Sequence, residues 1–274
     1  LDEHGIPPSD LILVTRSPDR LSDVAGRGAQ VRAGDFDDPE GLPAALAGGE
    51  RMLLISAVEI GRRIRQHTGA VEAAKAAGIT HIAYTSFVNT DVDDNPAAIA
   101  PEHSATEEAI RAAGLTSTFL RNSIYAELQA GDAAAALASG RLVTNAGEGR
   151  TAYVSRDDCA AVAAAVLADP SAHENATYDV TGPDALDARA LAALYAELGG
   201  KPVELLAVDD ATFIQGLVEH AGMPQPLAET YATFGAAIRA GLLDVRTDVV
   251  ERLTGHPPRS LRDVLEEETA ALAA

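Results

Sequence analysis

The sequence has no tryptophan, one cysteine, two methionines and only 4% aromatic residues. At 47% hydrophobic it can still bury a large core, but that core must be aliphatic and alanine-rich. A lone cysteine excludes an intrachain disulfide and a Cys-based zinc cluster. In "SRDDCAAVAAAVLADP", Cys159 falls on an apolar helix face and is expected in the core. No apolar run approaches the ~20 residues of a membrane-spanning helix. The opening "LDEHGIPPSD" shows neither the basic nor the apolar region of a signal peptide. Positive charge is scarce, with 21 Lys and Arg against 41 Asp and Glu, a net charge of −20. Such a surface repels nucleic acid and anionic lipid unless a local basic patch intervenes. The densest basic stretch, "GRRIRQH", holds three arginines and reads as a solvated face. Single histidines in "GHPPR" and "VEHAG" lack metal-ligand spacing, and no G-x-S-x-G nucleophile elbow occurs. A cytoplasmic protein without nucleic-acid or membrane partners is expected.

What is present is an alternation of short apolar runs with helical patterns, the mark of a parallel sheet. The strands are expected at "LILVT", "QVRAGD", "RMLLIS", "HIAYTS", "STFLR" and "TYDVTG". Helices are expected near 18–26, 39–47, 61–77 and 102–113. "VEAAKAAG" and "EEAIRAAG" end in the glycine that stops a helix, and "SRDD" from Ser155 resembles a capping box. Strands with little alternation are buried on both faces, as in an α/β, doubly wound, Rossmann-type sheet. After "TYDVTG" the pattern turns helical, near 187–199, 209–221, 225–240, 247–254 and 260–272, with one strand, "VELLAV". The expected division is a Rossmann-type domain over 1–182 and a smaller, mostly helical, substrate-side lobe over 183–274, to which 131–150 contributes.

A doubly wound nucleotide fold cradles phosphate with a glycine-rich turn after its first strand. Neither G-x-G-x-x-G nor G-x-x-G-x-x-G occurs; "GRGAQV" and "GEGRTA" lack the third glycine. "LDEHGIPPSD" resembles the end of a first helix and the loop into a second strand. The sequence therefore predicts a chain that begins after that strand and its loop, roughly 20 residues on the usual dimensions. A natural cofactor-free variant is the alternative.

"LILVTRSPDR" runs an apolar strand into Arg16, and Ser17 and Pro18 then open a helix. This fold sets that turn beside the adenosine ribose, where a guanidinium pairs with the 2′-phosphate of NADP and an Asp or Glu would select NAD. Arg16 thus favours NADP(H) over NAD(H); an ordinary surface arginine is the bland alternative. The motifs "TRSPDRL", "GDFDDPEGLPAALAG", "LLISAVEIGRR", "AAKAAGITHIAYTS", "EHSATEEAIRAAGLTSTFLRNSIYAE", "VTNAGEG" and "LTGHPPRSLRDVL", in this order, resemble the NmrA-like, atypical branch of the short-chain dehydrogenase/reductases. Within that branch they are most similar to the type 2 NAD(P)H:quinone oxidoreductases and triphenylmethane dye reductases, over essentially the whole chain.

The resemblance implies a dinucleotide site. Asp35 and Phe36 would lie by the adenine, although helix capping by Asp37 and Asp38 accounts for part of that acidic cluster. Ser56, Ala57 and Val58, small residues at a strand end, would lie against the ribose and pyrophosphate, with Thr85 nearby. Asn122, Ser123, Ile124 and Tyr125 would orient the nicotinamide, and Tyr125 would stack on the substrate. Ser86 stands where classical members bind the substrate carbonyl. Where their Tyr-x-x-x-Lys acid would fall, this chain has "HSATE". His103 and Glu107 can share a proton, or they are an i,i+4 pair on a helix surface. The departure disfavours alcohol chemistry and is tolerable for quinones or dye cations, whose product water can protonate. The implied partner is a small-molecule electron acceptor, and a homodimer is compatible with the sequence. A non-catalytic NADP(H)-sensing regulator is the alternative.

Overall fold

The computed structural model describes residues 4–273, with side chains up to Glu268. The expected strands form as β1 (Ile12–Thr15), β2 (Gln30–Ala33), β3 (Arg51–Leu54), β4 (His81–Phe87), β5 (Thr116–Asn122) and, later in the chain, Ala176–Val180. The helices between them are α1 (Ser22–Gly26), α2 (Leu42–Leu46), α3 (Arg63–Ala76) and α4 (Ala100–Ala112). β4, "HIAYTSF", is buried at all positions but one, so it has no polar face to alternate. α3 packs His67, Ala70, Val71 and Ala74 inward, the i, i+3, i+4, i+7 stripe of an amphipathic helix. The glycines predicted to stop α3 and α4 do so: Gly78 and Gly114 take φ of +87° and +73°, which a side chain would resist.

The remaining elements are α5 (Gln129–Ser139), β6 (Arg141–Thr144), β7 (Arg150–Thr151), α6 (Arg156–Ala168), β8 (Ala176–Val180), β9 (Leu186–Asp187), α7 (Ala188–Gly199), β10 (Glu204–Ala207), α8 (Asp210–Ala221), α9 (Gln225–Arg239), α10 (Val249–Thr254) and α11 (Leu261–Ala273). The fold is α/β. One sheet has the order β3-β4-β5-β8, and β1 pairs with β2 in a second. The β1–β2 and β3–β4 pairs are parallel. Among the described residues no strand joins β1 to β3, so each keeps one edge without a strand partner. The lone strand expected at "VELLAV" is not alone: β10 pairs in parallel with β6. β7 and β9 form a two-residue antiparallel ladder. Both were hidden in sequence by their shortness and by partners far along the chain.

The chain divides into two compact units. The first comprises Leu1–Ser86, Glu102–Leu120 and Val162–Tyr178; the second comprises Phe87–Pro101, Arg121–Ala161 and Asp179–Ala274. Residues 131–150 cluster with 183–274, and so do 87–101 and 121–130. The core of the first unit gathers Leu42, Leu54, Val71, Ile82, Ile110 and Phe119 with Tyr84. In the second, one cluster holds Leu191, Tyr195, Leu261 and Leu265, and another Phe87, Val88, Ala237 and Leu243. Cys159 is buried, as its helix face predicts, and burial pushes its thiol pKa up.

Candidate dinucleotide and acceptor site

In the first unit the candidate residues cluster at the ends of β1 to β4. Arg16 follows β1 directly, is exposed, and forms no ion pair with a described residue. Asp35 Oδ1 accepts from the Asp37 N–H at 3.0 Å, a local turn that fixes the chain after β2. Helix capping does not account for Asp37: the N-cap of α2 is Gly41, with no side-chain cap bond. Asp37 draws in Arg62 Nη2 at 2.6 Å, Arg65 Nη2 at 2.5 Å and Gln66 Nε2 at 3.2 Å, tying the β2 loop to α3. Phe36 meets the His67 ring edge-on, with centroids 6.0 Å apart.

The loop after β3 carries Ser56, Ala57 and Val58. The Ser56 N–H donates to Thr85 Oγ1 at 2.8 Å, so two of the candidates touch. The Ala57 N–H donates to His67 Nε2 at 2.9 Å. The Ala57 carbonyl accepts from Arg63 Nε at 2.5 Å, and the Gly61 N–H donates to Glu102 Oε1 at 2.7 Å. The solvated face expected for "GRRIRQH" therefore needs correction: Arg62 and Arg65 are half-exposed, but the Arg63 side chain is 11% exposed and faces Glu102 and the loop backbone. The cause is the helical period, which points Arg63 inward while its neighbours point out.

His103 and Glu107 are both buried, which removes the helix-surface alternative. His103 Nδ1 lies 2.8 Å from the Tyr84 hydroxyl, and Arg63 Nη1 approaches its Nε2 at 3.4 Å. Burial first, and Arg63 second, hold the His103 pKa down to about 3, so the ring is neutral at neutral pH. Burial likewise pushes the Tyr84 phenol up. Ser86 Oγ donates to Glu107 Oε1 at 2.6 Å, and Glu107 Oε2 takes Arg111 at 3.1 Å. The Ser86 hydroxyl hydrogen is thus already committed.

In the second unit, Arg121 and Asn122 end β5. Asn122 Nδ2 donates to the Tyr125 hydroxyl at 3.2 Å, while Asn122 Oδ1 and Ser123 Oγ are buried without a partner. The backbone here is pinned: Ser123 N–H to the Val180 carbonyl at 3.0 Å, and Val154 N–H to the Ile124 carbonyl at 3.0 Å. Tyr125 precedes a short 3-10 turn, Ala126–Leu128, and the Arg156 guanidinium sits 5.4 Å from its ring centroid. Burial raises the Tyr125 pKa. The turn "TNAGEGR" forms between β6 and β7. With Arg239 and Asp244 it lines an open cavity of about 510 Å³, and none of the candidate residues lines that cavity.

Each unit keeps unspent groups: in the first, the Arg16 guanidinium after β1, which has no ion pair among the described residues, and in the second, the buried Asn122 Oδ1 and Ser123 Oγ. His67, Arg63, Tyr84, Glu102 and Thr106 were not anticipated from sequence. The signal for His67 was available, because it falls in register with Ala70, Val71 and Ala74 on the buried stripe of α3.

Comparison with known proteins agrees. The NAD(P)H-binding family matches residues 7–170. Quinone oxidoreductase 2 of Escherichia coli is 35% identical over 258 residues, 94% of this chain and 89% of that protein. An NAD(P)H azoreductase of Xenophilus azovorans is 29% identical over 100% of this chain and 93% of its own. The NADPH complex of the E. coli NADPH-dependent quinone oxidoreductase superposes with a TM-score of 0.91 at 34% identity, covering 96% of this chain and 92% of that one. The NADP(H) complex of the Citrobacter sp. triphenylmethane reductase gives a TM-score of 0.88 at 34% identity, covering 97% and 94%. With the α/β fold and its superposition on these NADP(H)-bound reductases, the chain belongs to the NAD(P)H-binding family, in its NmrA-like branch of NAD(P)H-dependent oxidoreductases.

Proposed function

We propose that this protein reduces a quinone-like or conjugated organic acceptor with NADPH. The relatives named above, which are quinone, azo and triphenylmethane reductases, support the acceptor class. Arg16 would hold the 2′-phosphate, Asp35 and Phe36 the adenine, and the Ser56–Val58 backbone the ribose and pyrophosphate. Asn122 would orient the carboxamide through its unspent Oδ1, and Tyr125 would flank the acceptor. The dinucleotide supplies the hydride. The chain's part is alignment and exclusion of water, which bring the reacting atoms together without covalent chemistry.

The observation that carries this reading is the state of the buried acid–base groups. His103 is neutral and engaged with Tyr84, and the Ser86 hydrogen is committed to Glu107. No Tyr-x-x-x-Lys pair delivers a proton. An acceptor that takes hydride first and is protonated by water afterwards suits such a site; a simple ketone does not. The test is NADPH oxidation with a benzoquinone, a triphenylmethane dye and a simple aliphatic ketone. Turnover with the first two and none with the ketone is expected. Ketone reduction at a comparable rate would overturn the acceptor class. Tight NADPH binding with no acceptor reduced would favour a dinucleotide-sensing regulator.

A further inference from the structure

The loop over residues 55–62 has no regular structure, yet its backbone is held at four points by side chains of α3, α4 and β4. Thr85, His67 and Glu102 accept from the N–H groups of Ser56, Ala57 and Gly61, and Arg63 donates to the Ala57 carbonyl. His67 is the central anchor and is fully buried. Its Nδ1 lies 2.9 Å from Thr106 Oγ1, and Thr106 spends its own hydrogen on the Glu102 carbonyl at 2.8 Å. Nδ1 must therefore be the donor, which leaves the Nε2 lone pair to accept the Ala57 N–H. Thr106 thus fixes the tautomer that the loop requires. Burial and the nearby Arg63 also hold the His67 pKa down to about 4, so the ring is neutral at neutral pH. Beyond this anchor the chain opens outward, and Val58 is 80% exposed.

The geometry points to His67 as a positioning residue for dinucleotide binding: through Nε2 it sets the Ser56–Ala57 peptide so that one backbone face is presented to the cofactor. This rests on the proposed seat of the dinucleotide against Ser56–Val58. A backbone cradle binds well only if it is rigid before the ligand arrives, because ordering it on binding costs affinity. The hydrogen bond that the buried ring accepts from the Ala57 N–H contributes that rigidity at the centre of the loop, without any contact between His67 and the ligand.

Two substitutions separate this role from simple packing. His67→Gln keeps an acceptor at the ε position and loses the δ donor. His67→Asn keeps the δ donor and loses the ε acceptor. Both remove the imidazole from beside Phe36 and Tyr84, so both lower thermal stability. NADPH binding, followed by the cofactor's own fluorescence, is expected to weaken about tenfold in His67→Asn and less than about twofold in His67→Gln, the cost of one lost positioning bond. Amide hydrogen exchange at Ala57 is expected to quicken in His67→Asn and not in His67→Gln. Thr106→Val, which leaves the ring in place but removes the group that sets its tautomer, is expected to weaken NADPH binding and quicken the same amide, so a failure of His67→Asn to fold does not end the test. Equal shifts in Gln and Asn, or no shift in Asn and in Thr106→Val, would overturn the positioning role. Val58→Glu tests the seat independently. If it leaves NADPH affinity unchanged, the placement of the dinucleotide is wrong; if it weakens binding while His67→Asn does not, only the role of His67 fails.

Discussion

Arg16 and Arg62 show how differently two arginines near the same strand ends are used. Arg62 is held by Asp37 and Glu59, so its charge is already answered. Arg16 is exposed and has no ionic partner among the described residues. A 2′-phosphate would be that partner, and a ribose hydroxyl would gain little from it. Arg16→Ala is expected to weaken NADPH binding about tenfold to a hundredfold, the worth of a charge-assisted hydrogen bond, and to leave NADH unchanged. Calorimetric titration with both cofactors checks this. Wild-type affinity for NADPH should also fall with added salt more steeply than that of the variant, because the lost contact is a screened one. Equal loss for the two cofactors would remove Arg16 from the site.

At the scale of an element, α6 shows how much a cap signal can carry. Ser155 Oγ accepts from the Asp158 N–H at 2.9 Å, as the "SRDD" pattern predicts. The carboxylate three places on was expected to complete the box by reaching back. It instead accepts from the Arg259 N–H at 2.9 Å, which ties the start of α6 to the segment before α11. Sequence reasoning could place the cap because it is local, but not the second partner, which lies 101 residues away. Ser155→Ala is expected to cost about 1 kcal/mol and lower Tm by about 2–4 °C, with NADPH affinity unchanged. Calorimetric melting with and without cofactor measures both. A change in affinity without a change in Tm would contradict a purely structural cap.

For the whole molecule, the buried histidines predict how stability depends on pH: His67 and His103 above all, with His81 lowered in the same direction by burial. His67 and His103 ionise near 6.5 when unfolded and are held to about 4 and about 3 when folded. Between these values the unfolded chain binds protons that the folded chain refuses. Stability is therefore complete above about pH 6.5 and declines as pH falls toward 4. Carboxylate protonation relieves the repulsion of a −20 chain but sets in mainly near the carboxylate range, about pH 4 to 5. The interval from about pH 6.5 to 5 thus isolates the histidines. Urea midpoints across that interval should fall with pH in the wild type and fall less in His103→Gln. A midpoint independent of pH in the wild type would mean that none of these rings is held neutral.

The sequence by itself determined the α/β class, the positions of β1 to β5 and β8, the glycine stops of α3 and α4, the cap of α6 and the strand-end place of Arg16. These are set by periodicity, propensity and backbone sterics within a few residues, so they can be read locally. The tertiary structure alone decided that β6 pairs with β10, that Arg63 turns inward while Arg62 and Arg65 turn out to Asp37, and that His103 answers to Tyr84. It also set the tautomer of His67. Which ring nitrogen carries the proton depends on Thr106, 39 residues away, and on the Ala57 backbone. Such choices turn on where buried donors and acceptors find partners, and only the packed chain brings those partners together.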